Sequence, residues 1–252
     1  MHRFASVRST LTLALGLTLT ALAAAEPPKQ APPAKAHPAA PAVPAAPAAP
    51  AEPVAAPGGL SAEEIADRVQ AFYDKTKTFR AGFRQRYTVP AHNKTKDSTG
   101  SVVFEKPGKM SWRYTNNGNR VVSDGKIIRI YEKENNQMYE QPLDKSQYPA
   151  ALSFLLGSGS LRQSFKLTKL DAKQMNCEGC YVLLGEPKEA SATYQKVFLY
   201  VDAATYQVRR VMLIDAQRNR NRFDFVTPEV NAKPAPGEFV FTPPAGTQVI
   251  RQ

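Results

Sequence analysis

From Phe79 onward the chain is cut into short runs of alternating character, each ending in turn chemistry. Phe79, Ala81, Phe83, Gln85 and Tyr87 alternate with Arg80, Gly82, Arg84 and Arg86. Successive side chains of a strand point to opposite faces, so this run has one mainly apolar face and one basic face. Further runs cover Ser101–Glu105, Lys109–Tyr114, Arg120–Ser123, Lys126–Glu132 and Asn136–Pro142. Pro107-Gly108, Asn116-Asn117-Gly118, Asp124-Gly125 and Glu134-Asn135 separate them, and these residues favour turn backbone. After an interruption, strands are expected at Phe165–Leu170, Tyr181–Gly185, Gln195–Val201, Val208–Ile214 and Arg222–Val226. About eleven short strands make an antiparallel meander too wide to stay flat, so the sheet is expected to curl.

Helical spacing is confined to three places. Ser61 and Glu64 form a capping box ahead of Ile65, Val69 and Phe72, with Ala62 and Ala66 on the same side. This predicts an amphipathic helix of about four turns, ending near Lys75. Tyr148 to Leu156 is a second helix, with Pro149 suited to its first turn and Gly157 to its stop. Ser160 to Ser164 is a short third.

The N-terminal quarter is different in kind. His2, Arg3 and Arg8 precede an apolar run from Leu11 to Leu22, followed by the small-x-small sites Ala21-Leu22-Ala23 and Ala23-Ala24-Ala25. The run is too short to span a bilayer comfortably, so residues 1–25 are read as a secretory signal, with a retained anchor as the alternative. Residues 26–59 hold 11 of the 21 prolines among alanines, and are read as a disordered, extended spacer. Residues 60–252 then form one domain. Loss of Arg3 and Arg8 lowers the net charge from +11 to +9, all of it on the domain because the spacer is neutral. Export makes nucleic acid a poor partner, and no Lys/Arg run marks a docking patch.

Cys177-Glu178-Gly179-Cys180 lies between strand-like segments rather than at a helix N-terminus, where a redox thiol is activated. In an exported chain this favours a structural disulfide pinning a hairpin turn at Glu178-Gly179, with a redox pair as the alternative. Catalytic signals are thin. His92 is the single histidine of the domain, in a polar turn, and no nucleophile elbow, zinc motif or phosphate loop occurs. No enzyme, cofactor or metal is expected.

More informative is the apolar excess on both faces of several strands, as in Val197 to Val201. An ordinary core and a curled sheet with an apolar pocket both explain it, and periodicity does not separate them. The order of the pieces adds a resemblance. The helix running into Phe79-Arg80-Ala81-Gly82-Phe83-Arg84-Gln85 comes first, followed by Gly100 to Trp112 and Val122-Ser123-Asp124-Gly125-Lys126. Gln137, Tyr148-Pro149 and the closing Phe239-Val240-Phe241-Thr242-Pro243-Pro244-Ala245-Gly246 complete the series. This set resembles the periplasmic outer-membrane lipoprotein carriers, the LolA family, over residues 60–252.

The resemblance implies a mainly β fold with some α: an incomplete antiparallel barrel of about eleven strands closed by short lid helices. It implies a periplasmic, monomeric chaperone without catalysis. Such a carrier takes acylated lipoproteins from an ATP-driven inner-membrane transporter and passes them to an outer-membrane lipoprotein receptor. Phe79, Phe83, Phe104, Met110, Trp112, Tyr114, Ile128, Ile130, Phe198 and Tyr200 are the expected cavity lining, Leu152, Leu155 and Leu156 the lid, and Lys106 its latch. Three positions depart from the family pattern. Lys106 stands where the family commonly has the latching Arg, Met110 where an aromatic is familiar, and Arg129 where Trp is frequent. A half-barrel that senses envelope lipoproteins, and a periplasmic thiol–disulfide protein, are the alternative functions.

Overall fold

The computed structural model describes residues 59–146, 157 and 159–251. The expected signal, the spacer before Gly59 and the Tyr148–Leu156 helix with Leu152, Leu155 and Leu156 lie outside the described residues. The elements are α1 (Ala62–Asp74), β1 (Thr78–Val89), β2 (Lys94–Glu105), β3 (Lys109–Tyr114), β4 (Arg120–Asp124), β5 (Ile127–Glu132), β6 (Gln137–Pro142), α2 (Leu161–Ser164), β7 (Phe165–Leu170), β8 (Cys180–Pro187), β9 (Lys196–Asp202), β10 (Val208–Ile214), β11 (Arg220–Val230) and β12 (Gln248–Arg251). They form one sheet in the order β12-β6-β5-β4-β3-β2-β1-β11-β10-β9-β8-β7. Its edges, β12 and β7, do not meet, so the barrel is open.

The sheet is curled. Between β3 and β11 lie β2 and β1, about 14 Å on a flat sheet at about 4.8 Å per strand. Yet the rings of Trp112 on β3 and Phe223 on β11 lie 5.3 Å apart, centre to centre. The face carrying both rings is therefore concave. Helix α1 lies against this side. Its capping box is formed, with Ser61 N donating to Glu64 Oε2 at 2.7 Å and Glu64 N to Ser61 Oγ at 3.1 Å. Ile65, Ala66, Val69 and Tyr73 are its buried stripe. The helix starts beside β7, where Lys169 Nζ donates to Leu60 O, and reaches β10, where Val208 N donates to Tyr73 Oη.

Three features were not anticipated. The polar residues around His92 to Lys96 are not a broad turn: β2 begins at Lys94, and a single 3-10 turn with Asn93 at φ 48° closes the hairpin. Lys94 to Asp97 are exposed but paired to β1, so their backbone is satisfied without a core. Phe239-Val240-Phe241 belong to no strand. They sit in a strap, Asn231–Thr247, that crosses the convex face. Asn231 N donates to Thr78 O, Glu238 pairs with Arg113, and Phe241 packs on Tyr131. Past the strap, an unanticipated twelfth strand, β12, pairs in parallel with β6.

Candidate functional site

The concave face is built by strand register. Phe79 pairs with Phe104, and Phe104 with Met110. Met110 pairs with Ser123, and Ser123 with Ile128. One step along, Ala81, Val102, Trp112, Val121 and Ile130 form the next row. Directly opposed residues of antiparallel strands share a face, so each row crosses the sheet on one side. Phe79, Phe83, Phe104, Met110, Trp112, Tyr114, Ile128 and Ile130 are all brought to this face and are all buried.

Their rings form one cluster. Phe83 lies 5.0 Å from Trp112 and 5.1 Å from Tyr114, in edge-to-face geometry. Phe104 contacts Trp112 at 5.8 Å and Phe79 at 6.1 Å. Gly100, opposite Phe83, makes this approach possible. A Cβ there would lie 1.9 Å from Arg113 O and 2.8 Å from the Phe83 ring. A polar border closes one end of the face, where Gln85 Nε2 donates to Asn221 Oδ1 at 2.8 Å.

Phe198 and Tyr200 are a correction. Register places them on the convex face, opposite Met212 and Arg210, while Val197, Leu199 and Val201 face inward. Strand β9 is apolar on both sides because the Asp171–Gly179 connection covers its convex end. There Cys180, Val182 and Tyr200 form a cluster with Leu170, Met175, Cys177 and Phe198. The Cys177–Cys180 disulfide is formed within it. The bridge spans a turn at Glu178-Gly179, as expected, with Cα atoms 5.8 Å apart and Gly179 at φ 62°, but this turn ends a longer connection and is not a tight hairpin between β7 and β8. Both cysteines are bridged inside an apolar cluster, a structural placement.

Phe223 and Phe225 are concave residues that were missed, and they touch Trp112 and Phe79. Their alternation with Arg222 and Asp224 was the available signal.

Lys106 stands at the end of β2. Its Nζ donates to Tyr73 O at 2.5 Å, at the C-terminal end of α1, where the helix dipole favours a cation. Burial lowers its ammonium pKa, and the charge of Asp74 opposes that shift. Its stem lies against Gly157: a Cβ there would be 2.8 Å from Lys106 Cδ. Arg129, the other departure, is held by Asp124 and Glu140 at 3.2 Å and 2.9 Å, away from the concave face.

Residues 74–242 match the family model described as outer membrane lipoprotein carrier protein LolA. The chain belongs to the LolA family. The match covers the sheet from β1 to β11 and leaves out most of α1 and all of β12. The outer-membrane lipoprotein carrier protein of Methylibium petroleiphilum is 32% identical over 200 residues, covering 78% of this chain and 94% of the relative. That of Bordetella avium is 28% identical over 197 residues, with 78% and 91% covered. A crystal structure of a LolA superfamily protein from Nitrosomonas europaea aligns with 71% of this chain and 98% of its own at 12% identity and a TM-score of 0.39. Among the described residues of this LolA-family chain, no helix is long and apolar enough to cross a membrane.

Proposed function

We propose that the chain is a periplasmic carrier that takes the acyl chains of lipoproteins onto its concave aromatic face. It receives them from an ATP-driven transporter of the inner membrane and releases them to an acceptor at the outer membrane. The observation that carries this reading is the concave cluster itself. Aromatic and aliphatic side chains from six neighbouring strands, β11 and β1 to β5, meet on one side of an open sheet. Relatives over nearly their whole length are named for lipoprotein carriage, which also supports a role without catalysis.

The physical demand on such a carrier is reversibility. An acyl chain in water costs about 0.8 kcal/mol per CH₂, so a long chain needs a large apolar surface. That surface must not stay open after release. Ring pairs such as Phe83–Trp112 serve both needs, because they pack on each other when empty and offer their faces to cargo when parted. Met110 adds an adaptable wall. Lys106 acts as the latch by holding the end of α1 through Tyr73 O, and Leu152, Leu155 and Leu156 act as the lid. Lysine offers a single flexible ammonium where arginine offers a planar fork, so this latch opens at lower cost.

The test is native mass spectrometry of the mature protein after incubation with a triacylated lipopeptide, with Trp112 fluorescence recorded in parallel. A one-to-one complex with a shifted Trp112 emission is expected. An unchanged mass and emission would mean that the concave cluster is a permanently packed core, and the carrier reading would fail.

A further inference from the structure

The convex face of β10, β11 and β1 gathers basic residues that are far apart in sequence. Register sets Arg84 opposite Asp224 and Arg86 opposite Arg222, while Arg210 faces Asp224 from the other side. Arg220 follows one row on, opposite Thr88. Five arginines thus share this face with two aspartates. Asp97 is taken by Arg86 at 2.8 Å, and Asp224 by Arg210 and by Arg222, the latter at 2.6 Å. Arg84 and Arg220 are exposed and have no carboxylate at ion-pair distance among the described residues. Arg80, at the far end, is matched by Glu229. Beside the arginines on the same face lie Phe198, Met212 and Ile214, all half-buried.

We propose that this face docks on an anionic phospholipid surface. The guanidinium fork fits phosphate oxygens in pairs, and the patch is built from arginine where lysine would supply the same charge. Half-buried apolar side chains bordering cationic ones are the make-up of surfaces that lie in a membrane interface. The face is spread over the strands of one sheet, which suits a plane of headgroups. The strap covers the convex side of β3 to β5 but leaves this part open. The inference goes beyond the carrier reading and does not depend on it, because the concave cluster lies on the opposite side of the sheet.

The test is sedimentation of the mature chain with phosphatidylethanolamine vesicles, with and without phosphatidylglycerol, at low and high salt. Binding is expected to need phosphatidylglycerol and to fall at high salt. The Arg84→Gln/Arg220→Gln variant is expected to bind roughly thirtyfold more weakly, from about 1 kcal/mol per basic residue at an anionic surface and about 1.4 kcal/mol per factor of ten. Lys126→Gln/Lys133→Gln makes the same change of net charge in the β4–β5 and β5–β6 turns, away from the face, and is expected to bind as the parent does. Equal weakening by both variants would assign the effect to overall charge and overturn the proposal, as would absence of any phosphatidylglycerol preference. Arginine-dependent binding to an acidic polypeptide without vesicle binding would overturn the membrane assignment in favour of a protein partner. Vesicle binding that survives in the Arg84→Gln/Arg220→Gln variant and shifts Trp112 emission would place the contact at the concave face, leaving the carrier reading intact and this one refuted.

Discussion

The two halves of the convex face solve the same problem in opposite ways. Over β3 to β5 the strap lies across the sheet, and Val103, Ser111 and Val122 beneath its path are buried. There Arg113 is paired with Glu238 and Arg129 with Asp124 and Glu140, while Arg120 lies over the Phe241 ring of the strap. Over β10, β11 and β1 the described residues provide no such cover, and among them arginines outnumber their partners. Beyond β10, the disulfide-bonded connection lies over Val182 on β8 and Tyr200 on β9. A sheet needs one buried face to be stable, and the concave side supplies it for both halves. What is added to the convex side can therefore differ: structure on one half, a charged surface on the other.

The strongest way to break this comparison is to remove the strap. A chain ending at Asn231 keeps the Asn231 bonds to Thr78 and Lys77 but loses Glu238, Phe239, Phe241 and β12. Uncovering side chains such as Tyr131 and Val122 costs about 1.5–3 kcal/mol each where burial is complete. Several together approach the whole net stability of an ordinary domain, about 5–15 kcal/mol. The truncated chain is expected to lose cooperative thermal unfolding, or to melt well below the parent by circular dichroism. A melting temperature unchanged by truncation would show that the covered half needs no cover, and the contrast would collapse.

The bare half is expected to respond less. Cys177→Ser/Cys180→Ser removes a cross-link of sequence separation 3, and so short a loop yields only about 2 kcal/mol of chain entropy. A lower denaturant midpoint at unchanged Trp112 emission is expected, because the bridge supports the convex cluster and not the concave one. Loss of the native Trp112 signal would instead tie the bridge to the cavity and revive a functional role for the cysteines.

What was legible in the sequence follows the range of the interactions. Strands β3 to β6 were visible to within a residue or two, since alternation and turn residues are local signals. The residues named on β1, β2, β3 and β5 share one face for the same reason, while Val121 on β4 was not named. On β9 the alternation is apolar on both faces, so Phe198 and Tyr200 were assigned to the wrong side; only the register with β10 decides it. The strap has no period and is ordered by partners such as Arg113 and Tyr131, far away in sequence. The arginine face was legible only in part, as the basic side of β1 with Arg80, Arg84 and Arg86, for a related reason. Its members alternate with apolar residues on separate strands, so no basic run exists until Arg86 and Arg222 are paired.

The smallest expected effect is acid sensitivity, and it sharpens the comparison because each half has a turn aspartate held below its ordinary value. Asp124, in the β4–β5 turn, is pushed up by burial but pulled further down by donors from Ile127 N, Lys126 N and Arg129. Asp202, in the β9–β10 turn, is likewise pushed up by burial and pulled further down by Thr205, Arg209 and Ala204. Both carboxyls therefore titrate below the unfolded value of about 3.9. Their contribution is complete above about that pH, and is lost as pH falls through the lower folded values. Asp202 is the better enclosed, with a side chain 14% exposed against 42% for Asp124. Asp202→Asn is thus expected to flatten the acid limb of a urea-midpoint profile more than Asp124→Asn, each by about 1 kcal/mol or less. The reverse order would mean that the covered half depends on its turn charges as well as on its strap, and that the bare half is held by its apolar cluster alone.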